Sequence, residues 1–283
     1  MCELQTLLMD KKVCVGVDGC RAGWFAIALT EAGDFDTFVF SEISDLWNYF
    51  CGGHIDVHIC LDIPIGLIDR SSSYKRRPCD AEARKLLAPK RHPSVFTPPC
   101  REALHAESYE SACDINEEVT GIRLTKQSWG IVPKIREVDD FLVSTHSAQE
   151  NIKEIHPEIC FWAFAGKPME YSKKKNEGFI ERKKILQEIC NLTDRIVQNS
   201  LDKYNRKDVA RDDILDALVA SLTAKLSFEK GLKSAPQNPG RDSRDLPMQM
   251  VYTTVCCRLQ NAETETMKIK PNLQIIRKYI KKI

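Results

Sequence analysis

The stretch VCVGVDGCRAGWFAIALT, Val13–Thr30, holds two short apolar runs separated by a glycine-bearing turn. Val13–Val17 reads as a buried strand stopped by Asp18-Gly19, and Trp24–Leu29 reads as a second strand after Gly23. Working outward, Phe35–Phe40 alternates apolar and polar residues as a third strand does. Only short turns separate the three, which predicts an antiparallel meander. Ser41 or Ser44 can cap a helix running through Phe50. Val57–Ile63 is again strand-like and ends at Pro64. A crossover helix between the third strand and this fourth one makes a pairing of those two parallel.

From Pro64 to about Gln149 the pattern changes to helices and loops. Helices are expected at Cys79–Leu87, Arg101–Val119 and Lys126–Val143, the last bent at Pro133. This segment, 64–149, reads as a helical insertion. Asn151–Ile155 returns to a strand pattern. Glu177–Leu201 is predicted as one amphipathic helix, with Ile185, Ile189, Leu192 and Ile196 on a common face. Asp212–Leu226 is a second helix, Leu232–Met248 a loop, and Met250–Cys257 an edge strand. The expected product is an α/β domain over 13–260 with a mixed five-stranded sheet flanked by helices: three antiparallel meander strands plus two parallel ones. That order is the ribonuclease H-like one. Residues 261–283 form a basic tail.

The 283 residues suffice for one such domain with an inserted subdomain. A net charge of +1 gives no overall attraction to nucleic acid or membrane, so any preference must come from local patches. Met1–Lys12 lacks the features of a secretory signal, and no apolar run approaches the roughly 20 residues of a membrane span. A cytoplasmic protein without membrane association is expected; the sequence carries no signal for an oligomeric state. Twelve cysteines are scattered without a Cys-x-x-Cys pair, and adjacent Cys256 and Cys257 are too close for an ordinary bridge. They read as reduced thiols acting as small hydrophobes, in preference to a disulfide framework or zinc site.

The chemistry lies in acidic residues. Asp18 ends the first strand and Asp62 the fourth, each within an apolar run. Side chains at the carboxyl ends of neighbouring strands converge on one crevice. A carboxylate there is costly unless paired or bound to a cation, and two together invite Mg²⁺ or Mn²⁺. Capping or an arginine partner would explain either aspartate alone. In the helix RDDILDALVASL, Asp213 or Asp212 shares a face with Asp216. The helix dipole explains the acidic first turn but not Asp216, which lies one turn further in. In KEIHPEICFW, Glu154 and His156 point the same way by period two; Glu154 is a candidate metal ligand, and His156 a candidate to orient water or carry protons. The metal candidates are thus Asp18, Asp62, Glu154, Asp213 and Asp216. With such a cluster, two-metal hydrolysis of a phosphodiester follows, the ions about 4 Å apart. No Gly-x-Ser-x-Gly elbow or His-Glu-x-x-His motif offers another route.

Basic residues cluster in the predicted insertion. Arg77, Arg84 and Arg91 belong to one patch, and Lys126, Lys134 and Arg136 to another; phosphate neutralisation by nucleic acid is the functional reading and a solvated helix face the alternative.

VGVDGCRAGW, LDIPIGL, RRPCDAEARKLL followed by SVFTPP, LTKQSWGIVPKIREVD, EIHPEICFWAFAG and DDILDALVA occur in the order of the signature segments of domain-of-unknown-function family 429. The chain resembles that family from about Val13 to Ala220. The family is regarded as predicted nucleases of ribonuclease H-like fold. The resemblance implies that Asp18 and Asp62 are strand-end ligands and that Asp213 or Asp216 supplies the helix carboxylate. It implies that Lys126, Gln127, Lys134 and Arg136 face the substrate. Ala22 stands where the family usually has glycine. The expected activity is that of a metal-dependent nuclease or phosphodiesterase. Alternatives are an ATP-dependent phosphotransferase related to actin-like ATPases and sugar kinases, or a non-catalytic nucleic-acid-binding module.

Overall fold

The structure is a computed structural model and describes residues 12–31, 33–52 and 56–255. The expected meander is present as β1 (Val13–Cys20), β2 (Gly23–Thr30) and β3 (Phe35–Phe40). Helix α1 (Ile43–Cys51) crosses to β4 (Val57–Asp62), which pairs in parallel with β1. The short β5 (Ile152–Glu154) pairs in parallel with β4, completing the order β3-β2-β1-β4-β5. This is the mixed five-stranded sheet flanked by helices that the sequence predicts.

Alternation along the strands assigns the two faces. Val13, Val15 and Val17 join Trp24, Ala26, Ala28, Val57, Ile59 and Leu61 in one apolar cluster. Cys14 and Cys60 join Phe25, Ile27 and Leu29 in the other. The first face is covered by α1 and by a helix from the predicted insertion. Between β4 and β5 lie α2 (Pro78–Leu86), α3 (Tyr109–Thr120), α4 (Lys126–Gly130), α5 (Val132–Ser144) and α6 (His146–Asn151). Val132, Ile135, Val138 and Leu142 of α5 pack into the same cluster as Val13–Val17, so this helix is a layer of the main domain. The second face carries α7 (Pro157–Ala165), α8 (Asn176–Ile189), α9 (Thr193–Lys203) and α10 (Arg211–Lys230).

Several boundaries differ from expectation for local reasons. Arg101–Val119 is not one helix: a 3₁₀ turn over Arg101–His105 is followed by α3, whose amino end Ser108 caps by accepting from the Ser111 N–H. Lys126–Val143 is two helices, with Pro133 in the first turn of the second, where its missing N–H costs nothing. Glu177–Leu201 is also two, broken at Cys190–Leu192. Neither Ser41 nor Ser44 caps α1; the Glu137 carboxylate on α5 accepts from the Ile43 N–H at 2.6 Å and from Trp24 Nε1 at 2.9 Å. Met250–Cys257 is not an edge of the main sheet. Met250–Tyr252 forms β7, paired antiparallel with β6 (Lys233–Ala235) in a separate two-stranded sheet, β6 lying within the predicted loop. The basic tail 261–283, with Cys256 and Cys257, falls outside the described residues. All nine described cysteines are unpaired, and burial pushes the Cys14 and Cys160 thiols up to about 12. Among the described residues, no helix is long and apolar enough to cross a membrane.

Helix α10 lies on β1 with its backbone almost touching the strand. A Cβ placed on Gly16 would stand 2.0 Å from the Ala217 carbonyl oxygen and 2.1 Å from the Ser221 nitrogen. The Ser221 hydroxyl donates to the Cys14 carbonyl at 3.0 Å, so the helix is fastened as well as close. Gly16→Ala should therefore cost about 1–3 kcal/mol or more by overpacking two backbones that cannot rotate aside. Gly130→Ala, where an added Cβ has no neighbour within 4 Å, should change stability by less than about 1 kcal/mol. Urea unfolding of the two variants measures the contrast.

Candidate functional site

Asp18 and Asp62 are Cα partners in the parallel β1–β4 ladder. Period two places both on the face that α10 covers, at the carboxyl ends of adjacent strands. The close approach at Gly16 brings in Asp216, the sixth residue of α10. Asp18, Asp62 and Asp216 each present a carboxylate oxygen such that all three lie within 4.8 Å of one another. Asp18 is 7 % exposed and Asp216 1 %, while Asp62 is partly accessible at the rim. A single Mg²⁺ ion with oxygen ligands at about 2.1 Å spans about 4.2 Å between opposite ligands, so small rotations close this set on an ion. Three crowded carboxylates of hard oxygen donors fit Mg²⁺ or Mn²⁺.

The cluster is electrostatically tense. Burial, reinforced by Asp62 and Asp216, holds the Asp18 carboxyl well above the usual carboxylate range. Burial pushes Asp62 up to about 7, with Lys173 opposing and Asp216 adding to the rise. Asp213 does not join the three-oxygen group. Its carboxylate accepts from the Ala210 N–H at 2.8 Å and closes the amino end of α10; burial, with Asp212 and Asp216 nearby, raises it to about 6. Asp212 turns away and pairs with Lys174 at 2.6 Å.

Lys173, which sequence reasoning did not single out, donates to the Asp216 carboxylate. Burial would pull its ammonium down, but Asp216, Asp18 and Asp62 hold it well above its ordinary value. A run of three lysines reads as a solvated surface, and nothing in its spacing marks the first. The structure builds its position from below. Arg182, fully buried, donates to the Tyr171 carbonyl at 3.1 Å, to the Gly178 carbonyl at 2.8 Å and to the Glu158 carboxylate. An added Cβ on Gly178 would stand 2.0 Å from the Ser172 carbonyl oxygen, so the loop around Lys173 is pressed against the start of α8.

Glu154 belongs to a different cluster. Its β5 position pairs with Leu61, not with Asp62, and register therefore turns it to the opposite face from the aspartates. There it pairs with Arg77 and accepts from the Ile65 N–H at 2.7 Å. Arg77 is not a substrate-facing residue: it is 1 % exposed, also pairs with Asp80 at 3.2 Å, and donates to the Ile65 carbonyl at 2.9 Å. Cys79, Asp80 and Glu154 also present close-set ligand atoms, but the Arg77 guanidinium supplies their cation. Arg77 and Glu154 thus hold the C=O and the N–H of Ile65, in the turn that follows Asp62. His156 caps no metal group. It precedes α7, its Nε2 lies 3.4 Å from the Ser94 carbonyl, and its Nδ1 has no hydrogen-bond partner, although it lines a narrow crevice with Asp62. Burial lowers it to about 4, so it is neutral near pH 7.

The remaining basic candidates are dispersed. Arg84 binds the Val95 carbonyl and the Thr97 hydroxyl, holding the segment after α2. It lines a cavity of about 290 Å³ with Phe96 and Gln127. Lys134 donates to the Gly23 carbonyl at 2.6 Å and stands over the Trp24 ring, with burial lowering its pKa while Cys20 and Glu137, then Asp18 and Asp213, oppose the fall. Lys126 stands over the Tyr109 ring, Arg91 donates to the Lys90 carbonyl, and Arg136 is exposed beside Leu104. Of the basic set, Lys134 is the one whose charge is felt by Asp18 and Asp213, though its contacts are the Gly23 carbonyl and the Trp24 ring.

Fold and site together define an α/β protein with a buried three-carboxylate centre at the carboxyl ends of two parallel strands. The chain matches the family described as Protein of unknown function (DUF429) over residues 16–241, and it belongs to that family. Comparison with curated proteins and with solved structures finds no match.

Two outcomes check this account. Arg77→Met strands two buried carboxylates and should cost about 3–5 kcal/mol in chemical denaturation. An acid whose folded pKa stands above its unfolded value (about 3.9 for Asp) weakens the fold at high pH, and the penalty fades as pH falls from about 7 towards 4. In EDTA, Asp62→Asn should therefore gain stability over the unmutated chain at pH 8, keep about a third of that advantage at pH 5 and lose nearly all of it by pH 4. His156 acts with the opposite sign but equally in both proteins, so it cancels from the difference.

Proposed function

We propose that the protein is a metal-dependent nuclease or related phosphodiesterase acting on nucleic acid, its centre built by Asp18, Asp62 and Asp216 on a ribonuclease H-like sheet. The observation that carries this reading is the convergence of three carboxylate oxygens within 4.8 Å, two of them from strand ends in register and one from a helix pressed against the strand. Asp18, Asp62 and Asp216 would hold Mg²⁺ or Mn²⁺, which when bound supplies a Lewis acid for a phosphoryl oxygen and lowers the pKa of an attacking water. Asp213 stands behind them at the helix terminus and adds negative potential. Lys134 and Lys173 flank the carboxylates and supply positive charge for a phosphate. Lys126, Gln127 and Arg136 extend polar surface away from the centre along α4 and α5, suited to positioning a backbone without reading bases. Glu154, Arg77 and Arg182 shape the turn and the loop that border the site. We place the protein in the cytoplasm, where nine unpaired thiols among the described residues suit a reducing compartment.

The test is cleavage of a panel of single-stranded, duplex and branched DNA and RNA with Mg²⁺ and with Mn²⁺. Metal-dependent cutting is expected, falling by at least about a hundredfold in Asp18→Asn, whose folding is verified by circular dichroism. An intact panel with both metals overturns the reading, and calorimetric ATP binding would redirect it to phosphotransfer.

A further inference from the structure

We infer that Lys173 is a resident cation of the carboxylate centre, standing in for one of the two metal ions that a site of this composition would otherwise take, so that the protein holds a single divalent ion. The inference rests on the metal-binding reading above and deepens it. Its first support is position. The Lys173 ammonium donates to Asp216, one of the three carboxylates that converge, and its field acts on Asp18 and Asp62 as well. A lysine merely solvating an acidic rim does not reach the most buried carboxylate of the group, which is 1 % exposed.

Its second support is construction. Lys173 is delivered by a loop held rigid from within: buried Arg182 ties the Tyr171 and Gly178 carbonyls to Glu158, and Gly178 admits the Ser172 carbonyl at a distance no side chain would allow. The neighbouring Lys174 is spent on Asp212. A buried Arg–Glu pair contributes little net stability, so what it adds here is the geometry it imposes on the loop. Here that geometry directs one ammonium into the centre.

The third support is charge. Asp212 and Glu158 are neutralised by Lys174 and Arg182, leaving Asp18, Asp62, Asp213 and Asp216 to face Lys173, while Lys134 is shared with Glu137. With Lys134 set against Glu137, one divalent ion beside Lys173 leaves the four ionised carboxylates a single negative charge. A second would reverse the sign and stand against the Lys173 ammonium in a half-buried site, where unbalanced positive charge is expensive. Lys173 is in this sense a positioning residue for the ion and for a substrate phosphate.

The experiment is Mn²⁺ titration of the full chain at pH 7.5 without nucleic acid, read by the loss of free-ion electron paramagnetic resonance signal. One ion per chain is expected for the unmutated protein and for Lys173→Arg. Two are expected for Lys173→Met, with the second ion coupled magnetically to the first, and Asp18→Asn should abolish the coupled pair. If Lys173→Met fails to fold, Lys173→Gln replaces it. Two ions in the unmutated chain, or one in both it and Lys173→Met, overturns the role of Lys173 while leaving the metal centre standing. No Mn²⁺ bound by the unmutated chain overturns the metal reading beneath it.

Discussion

The contact between Gly16 and helix α10 is the constraint on which the centre depends. A helix normally rests on a sheet through side chains, which keep the two backbones apart. Here the absence of a Cβ at Gly16 lets the Ala217 carbonyl and the Ser221 N–H approach the strand backbone directly. The consequence reaches an acid on each element. Asp18 is two positions along β1 on the same face, and Asp216 precedes Ala217, so the contact that seats the helix also sets the distance between these two acids. Ala217, Ala220 and Ser221 are small for the same reason: α10 has apolar surface all round and is buried between the sheet and α7 to α9.

The buried charges fall into two groups with different purposes. Arg77 with Asp80 and Glu154, and Arg182 with Glu158, balance cation against acid and tie loops down through backbone hydrogen bonds. Arg101 does the same on a larger scale, binding Asp139 of α5 in a two-pronged pair and reaching Asp69 and Asp242, the last of which accepts from the Leu67 N–H. These pairs hold the segments following β4 against α5 and the 236–248 segment. The aspartate centre is unbalanced by contrast, with more acid than base. Arginine serves the balanced group because its planar fork satisfies two partners at once. Lysine serves the unbalanced one, a compact charge on a flexible stem that can yield to an incoming ligand.

Much of this was legible from spacing alone. The five strands and the placing of Asp18 and Asp62 at strand ends followed from short apolar runs and their connections, whereas the neighbour of β4 did not: its crossover helix pointed to β3, and the structure pairs it with β1. Asp216 stood out because the helix dipole accounts for acids in the first turn only. Glu154 was misread because alternation gives the relative facing of residues on one strand, whereas the face itself depends on register with the neighbour. A single-residue offset between Leu61 and Asp62 decides it, and β5 is only three residues long, too short to advertise its register. Arg77 was misread because basic density says nothing about burial; only tertiary structure distinguishes an arginine that neutralises phosphate from one that closes on two carboxylates. Lys173 was invisible since its function comes from a loop whose shape is dictated by Arg182, nine residues away.

The displacement of Glu154 to the other face also sharpens what the centre is. With Glu154 among them the acids would number five, counting Asp213, and Lys173 would offset a smaller share of their charge. Without it they number four, and the compensating ammonium of Lys173 is covalently part of the chain. Glu154 instead acts at one remove: by holding the Ile65 peptide against Arg77, it fixes where β4 ends and so where Asp62 points. A residue that looked like a ligand is thereby a determinant of the ligand beside it, and the charge balance of the centre is set by the register of a three-residue strand.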